Sequence, residues 1–200
     1  MIVGITGGSG CGKTTALKVF EQCGGIVMDC DQIYHRLLRT DKALLDAIDR
    51  RFPDTVVGGL LDRIALGNIV FADPQALADL NAITHSAVRK EVLRRLDLVE
   101  KQHVAIDAVG LFEGDLAKLC NVTVAVTAPE NKRIDRLMVR DAISLEYAQK
   151  RIAAQRSQEE FCQLCDYTLA NDGTEAEFAN KCLAFFKGLG IMEPIKKDNC

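Results

Sequence analysis

The sequence predicts an α/β fold: a parallel sheet of about five strands with helices on both faces, carrying a helical insertion and a helical lid. Three observations predict it. Short apolar runs alternate with helix-compatible stretches, a long helical stretch interrupts that alternation, and a glycine-rich segment joins the first apolar run to the first helix. Parallel neighbours need crossovers, and the crossovers cover both faces of the sheet.

In chain order, residues 2–6 form a short apolar strand ending in glycines, and residues 16–20 continue helically after it. Gly24 and Gly25 break that helix, and residues 26–28 form a second buried strand that stops at Asp29 and Asp31. The pair of strands reads as a βαβ unit, with the second strand expected beside the first. From Asp31 to Glu100 apolar residues recur at helical spacing, punctuated by Pro53 and Gly58-Gly59, so this stretch reads as several short helices. Strands return at residues 103–107 and 122–126, both rich in β-branched side chains. Residues 110–118 are compatible with a helix between them. Residues 130–160 are helical and arginine-rich, 167–170 form a last strand, 174–187 a closing helix, and the tail beyond Gly190 reads as frayed.

This gives one domain over residues 1–200, within the usual size range. Its sheet-bearing core comprises 1–30, 102–132 and 164–190, its helical insertion 31–101, and its lid 133–160. Ligands of such sheets bind beyond the carboxyl ends of the strands, where Gly7, Asp31, Asp107 and Asn171 all fall.

Composition excludes several classes. Hydrophobic residues at 48% and charged residues at 26% are ordinary globular usage. A net charge of −3 argues against a protein that coats nucleic acid, so an anionic ligand must be held locally. No apolar run approaches the ~20 residues of a membrane span, and the N-terminal run is too short for a signal peptide, which makes the cytoplasm the expected location. The eight cysteines are scattered through a chain large enough to fold without staples and read as reduced thiols. Cys162 and Cys165 form a lone C-x-x-C without further ligands at zinc spacing, as expected of two side chains near a helix end.

The segment Gly7-Gly8-Ser9-Gly10-Cys11-Gly12-Lys13-Thr14 satisfies G-x-x-x-x-G-K-[ST], with a strand before it and a helix after it. Its glycines let successive N–H groups face a phosphate at the positive end of the helix. The nucleotide-binding residues are therefore Gly8, Ser9, Gly10, Cys11, Gly12, Lys13, Thr14 and Thr15. Lys13 reaches the β- and γ-phosphates, and the Thr14 hydroxyl ligates Mg²⁺ directly. Asn131-Lys132-Arg133 opens the N-K-x-D pattern of guanine readers, but Ile134 stands where the aspartate is needed, which favours ATP. Cys11 lies at a helix N-terminus, a position that can lower a thiol pKa and make alkylation block ATP.

Asp31 has two readings, a general base at the end of the neighbouring strand or a turn and cap residue, and Asp29 shares them. Asp107 ends the apolar run 104–106, where a second acid positions Mg²⁺ through water. Glu113 falls near the same edge. Arg133, Arg136 and Arg140 share one helical face, from which a closing lid can reach the transferring phosphoryl group, and Arg140 is the expected catalytic arginine. These residues leave open another P-loop small-molecule or nucleoside monophosphate kinase, and a nucleotide-dependent switch.

The order of local patterns resembles the dephospho-coenzyme A kinase family over nearly the whole chain. Gly4-Ile5-Thr6-Gly7-Gly8-Ser9-Gly10-Cys11-Gly12-Lys13-Thr14 is similar to its G-x-T-G-G-x-G-S-G-K-S, and Asp29-Cys30-Asp31 to its D-A-D. Leu80-Asn81-Ala82-Ile83-Thr84-His85 resembles L-x-x-I-x-H-P, and residues 106–113 resemble D-x-P-L-L-F-E. Residues 136–141 with 151–155 resemble the lid, and residues 166–173 the D-x-x-I-x-N-x-G ending. Ser86, Cys30 and the Val109-Gly110 pair depart from these patterns. The resemblance implies transfer of the ATP γ-phosphoryl group, with Mg²⁺, to the 3′-hydroxyl of dephospho-coenzyme A. It implies Asp31 as general base, Lys13 and Arg140 as catalytic, Arg136 and Asn171 on the nucleotide, and Arg63, His85, Asp31 and Asp107 on the acceptor. The expected assembly is a monomer binding ATP and dephospho-coenzyme A, with no nucleic-acid or membrane partner.

Overall fold

The computed structural model describes residues 1–99 and 102–191. The expectation for the tail beyond Gly190 falls almost wholly outside them. The chain divides into two compact units, one built from Met1–Met28, Lys101–Leu111 and Ala117–Cys200, the other from Asp29–Glu100 and Phe112–Leu116.

The first unit holds the sheet. Strands β1 (Ile2–Thr6), β2 (Ile26–Asp29), β5 (Val104–Asp107), β6 (Val122–Thr127) and β7 (Tyr167–Ala170) lie in the order β2-β5-β1-β6-β7. The pairs β1/β5, β1/β6 and β6/β7 are parallel. The second strand is therefore not beside the first, as the sequence suggested. The crossover through α1 (Lys13–Gln22) skips one position, which β5 fills with Ile5 opposite Asp107. This leaves β1 between strands reached from opposite directions, the arrangement that opens a crevice at its carboxyl end.

Residues buried on α1 (Ala16, Leu17, Val19, Phe20) pack with Phe178, Cys182 and Phe186 of α9 (Glu175–Gly188). The Phe20 and Phe186 rings meet edge-to-face at 5.1 Å. Helix α9 opens with a capping box, Thr174 with Glu177, which satisfies two of its orphan N–H groups. At the edge of the sheet, Asp166 accepts from the N–H and hydroxyl of Thr123 at 2.8 and 2.7 Å and pins β7 onto β6. These hydrogen bonds hold the Asp166 carboxyl below its ordinary pKa. The arginine-rich stretch forms three helices, α6 (Glu130–Asp141), α7 (Leu145–Ala153) and α8 (Gln158–Leu164). Cys162 and Cys165 sit at the end of α8, and every described cysteine is a thiol. The segment at 110–118 contains turns and a single 3₁₀ turn at Ala117–Leu119 rather than the expected helix. Asp115 there adopts φ 55°, a left-handed conformation that a continuing α-helix does not contain.

The second unit contains α2 (Cys30–Thr40), α3 (Lys42–Arg51), the hairpin β3 (Val56–Val57) and β4 (Leu60–Leu61), α4 (Arg63–Val70) and α5 (Pro74–Leu98). Aspartates cap every helix in it: Asp29, Asp41, Asp62 and Asp73 each accept from a first-turn N–H. The sequence reading missed the hairpin, whose turn is Gly58-Gly59 with φ of 59° and 79°, a two-residue geometry that glycine supplies without strain. It also expected only short helices, whereas α5 runs 25 residues. Pro74 occupies its first turn, and no glycine or proline follows before Leu98. Ala76, Leu80, Thr84, Val88 and Val92 form one buried stripe along it. Among the described residues no helix is long and apolar enough to cross a membrane.

Two outcomes test this packing. Phe186→Ala removes a fully buried ring from the α1–α9 seam and should cost about 3–5 kcal/mol of stability in denaturant titration. Glu91 of α5 is held down to about 2 by Arg94, Arg95 and Arg36. An unfolded glutamate titrates near ~4.3. The stabilisation from Glu91 is therefore present above that value and lost as pH falls towards 2. Glu91→Gln should flatten the acid limb of the stability curve, and an unchanged limb would contradict the assignment.

Candidate active site

The loop between β1 and α1 is shaped by side chains that donate to its carbonyls. The Ser9 carbonyl accepts from Arg133 Nε at 2.9 Å and the Gly10 carbonyl from Arg136 Nη1 at 3.0 Å. Next along the chain, the Cys11 carbonyl accepts from Asn171 Nδ2 at 2.9 Å. Across a trans peptide the C=O and the following N–H point in opposite directions. Fixing the Ser9 and Cys11 carbonyls on those side chains therefore directs the N–H groups of Gly10 and Gly12 away from them at the start of α1, while the Cys11 N–H donates to the Gly8 carbonyl at 3.3 Å. Gly12 caps α1 with φ 105°, and a Cβ there would stand 2.2 Å from Asn171 Nδ2, so both backbone conformation and space require glycine.

The groups that grip the loop come from distant sequence. Asn171 follows β7 and is 3% exposed; its N–H bonds the Thr127 carbonyl at 2.7 Å and its Oδ1 accepts from Arg136 Nη2 at 3.2 Å. Arg133 and Arg136 lie on α6. Gln155 follows α7, accepts the Ser9 N–H at 2.8 Å and donates to Ser9 Oγ at 2.8 Å. Sequence reasoning assigned no contact to Gln155. Its place in the segment 151–155 was the available signal, but 146 residues separate it from Ser9.

Lys13 Nζ donates to the Gly7 carbonyl at 2.9 Å, which holds the ammonium over its own loop. Thr14 is exposed, Thr15 partly buried, and Gly8 lies against Arg133 and Gln155. Asp107 ends β5 beside Ile5, close enough for its charge to act on Cys11. The Cys11 thiol departs from expectation. Burial pushes it above its ordinary pKa, outweighing the lowering by Lys13 and Arg133, so the residue 1% exposed beneath the loop is a packing thiol rather than an activated one.

Arg140, at the far end of α6, is not on the loop. Its guanidinium pairs with Asp141 at 2.7 Å, and Arg151 of α7 reaches the same carboxylate at 2.6 Å. Both arginines hold that carboxyl down to about 2.

In the second unit, Asp29 caps α2, accepting from the Gln32 N–H at 2.9 Å, and Asp31 stands exposed in the first turn. The cap reading thus belongs to Asp29. A cavity of about 190 Å³ is lined by Tyr34, His35, Leu61, Arg63, Leu66 and Phe71 among others. Burial raises the Tyr34 pKa while the charge of Arg63 lowers it. His85 is half-buried on α5 outside that lining, and Glu113 is exposed in a turn.

Comparison with known proteins decides between the kinases that share this cradle. A family model described as dephospho-CoA kinase matches residues 1–177. A dephospho-CoA kinase from Lactobacillus acidophilus is 34% identical over 185 residues, covering 90% of this chain and 92% of the relative. One from Thermus thermophilus is 36% identical over 174 residues, covering 87% and 84%. A crystal structure from Thermus thermophilus superposes with a TM-score of 0.81 at 34% identity, covering 94% of this chain and 97% of that one. A shikimate kinase from Bacteroides thetaiotaomicron, 15% identical with a TM-score of 0.56 over 95% and 98% of the two chains, shares the fold alone. The sequence matches run through both units, insertion included: the chain belongs to the dephospho-CoA kinase family.

Proposed function

We propose that the loop between β1 and α1 holds ATP while the helical insertion presents dephospho-coenzyme A, so that the γ-phosphoryl group passes to the ribose 3′-hydroxyl and yields coenzyme A and ADP. The reaction is that of the family. The observation that supports the loop as the phosphate site is the fixing of the Ser9, Gly10 and Cys11 carbonyls by Arg133, Arg136 and Asn171, which preorganises the Gly10 and Gly12 N–H groups for an anion.

Each residue then has a task. Residues 8–15 enclose the phosphate chain, and Lys13 exchanges the Gly7 carbonyl for phosphate oxygens. Arg136 and Asn171 hold the nucleotide end of the crevice. Asp31 takes the proton of the attacking hydroxyl; its exposure and its place just after β2 suit that task, as does the capping by Asp29 that leaves it unneeded as a cap. Arg63, lining the cavity with Tyr34 and His35, meets the acceptor's phosphate groups, with His85 and Asp107 as further contacts. The segment 133–160 serves as the lid, with Arg140 leaving Asp141 to approach the transferring group on closure.

The oxygen donors present suit Mg²⁺, which is held by one or two protein oxygens together with substrate phosphates. Thr14 would supply a hydroxyl and Asp107 a carboxylate acting through water. When bound, the ion neutralises charge shared between the β- and γ-phosphates.

With MgATP present, ADP formation should depend on dephospho-coenzyme A. Asp31→Asn should lower that rate by about 10²–10⁴-fold without shifting the thermal midpoint. ADP release that ignores every acceptor would sink the reading. Lys13→Met should lower kcat/KM by at least ~10²-fold, a loss of charge stabilisation in the transition state.

A further inference from the structure

We infer that Arg133 binds the polyphosphate chain of the nucleotide directly, through its Nη2 group. The three arginines of α6 differ in what their guanidinium groups already hold. Arg136 is occupied at both Nη atoms, by the Gly10 carbonyl and by Asn171. Arg140 spends its fork on Asp141. Arg133 is 3% exposed, uses Nε on the Ser9 carbonyl, and buries Nη2 without any hydrogen-bond partner.

That orphan donor is aimed at the phosphate loop. A Cβ built on Gly8 would stand 2.3 Å from Arg133 Nη2, so the guanidinium lies flush against the backbone of the loop. Its charge also lacks a counterion hydrogen-bonded to it. A guanidinium stays ionised, burial removes its hydration, and the first turns of α6 present the positive end of a helix dipole. Near Cys11, Lys13 and Arg133 act as cations against Asp107. A phosphate oxygen would supply the missing acceptor and the missing negative charge together. Gln155 occupies the adjoining Ser9 N–H, which the same anion would take over.

The inference rests on the nucleotide site proposed above, and inorganic tripolyphosphate separates the two because it needs neither base nor acceptor. Arg133→Met keeps the apolar stem and removes the fork. It should weaken binding of both tripolyphosphate and ATP by about tenfold to hundredfold, the range for one charged hydrogen bond. The thermal midpoint of the empty variant should be unchanged or higher, since a buried charge short of partners is removed. Affinities for both ligands within twofold of wild type would overturn the inference, as would a lowered midpoint with unchanged affinity. Because the variant also loses the Nε bond to the Ser9 carbonyl, NMR of the ¹⁵N-labelled arginine side chains in the intact protein separates direct contact from loop shaping, whether or not the variant folds. Tripolyphosphate should shift and sharpen the Arg133 Nη resonances, and an unmoved Arg133 signal at saturation would overturn it. Binding through Arg133 without turnover of dephospho-coenzyme A would instead count against the proposed function.

Discussion

The site depends on how three neighbouring carbonyls are held. A glycine-rich loop on its own has no preferred side for its N–H groups, because glycine is permissive on both sides of φ. Here the Ser9, Gly10 and Cys11 carbonyls are each tied to a side chain from elsewhere in the chain, and planarity of the peptide group carries that constraint to the N–H groups of Gly10 and Gly12, while the Cys11 N–H closes on Gly8. The loop's conformation is thus set by contacts within the protein, which is what electrostatic preorganisation requires.

The sheet makes those ties possible. Asn171 is placed by β7, whose register is set by Asp166 on Thr123, and the α6 arginines follow β6 through Pro129. The same crowding accounts for the fate of Cys11. A thiol next to a lysine at a helix start is expected to ionise easily, yet this one lies beneath the loop with its sulfur near Gly7, and desolvation outweighs the nearby charges.

Much of this was legible in the residues. The strand at 2–6, the strand at 167–170 and the helix near 174–187 stand out because each has a strong period and a clear stop, Gly7 or Gly173 among them. The failures have local causes. The hairpin at Gly58-Gly59 has strands of two residues, too short to show a period. Helix α5 was expected to be broken because Pro53 and Gly58 punctuate the stretch before it, although the 24 residues after Pro74 contain no breaker. A helix at 110–118 was compatible with composition, but the chain turns there instead.

By itself, the sequence determined that a phosphate loop joins a buried strand to a helix, and which kinase pattern accompanies it, because these are properties of residues adjacent in the chain. Only the tertiary structure decided that β5 separates β2 from β1 and which arginine grips which carbonyl. It alone revealed that Gln155 lies on Ser9 and that Arg133 keeps a buried donor without a partner. Contacts spanning 124 to 160 residues leave no trace in local spacing, since they arise from the way a folded sheet brings the ends of its strands to one edge.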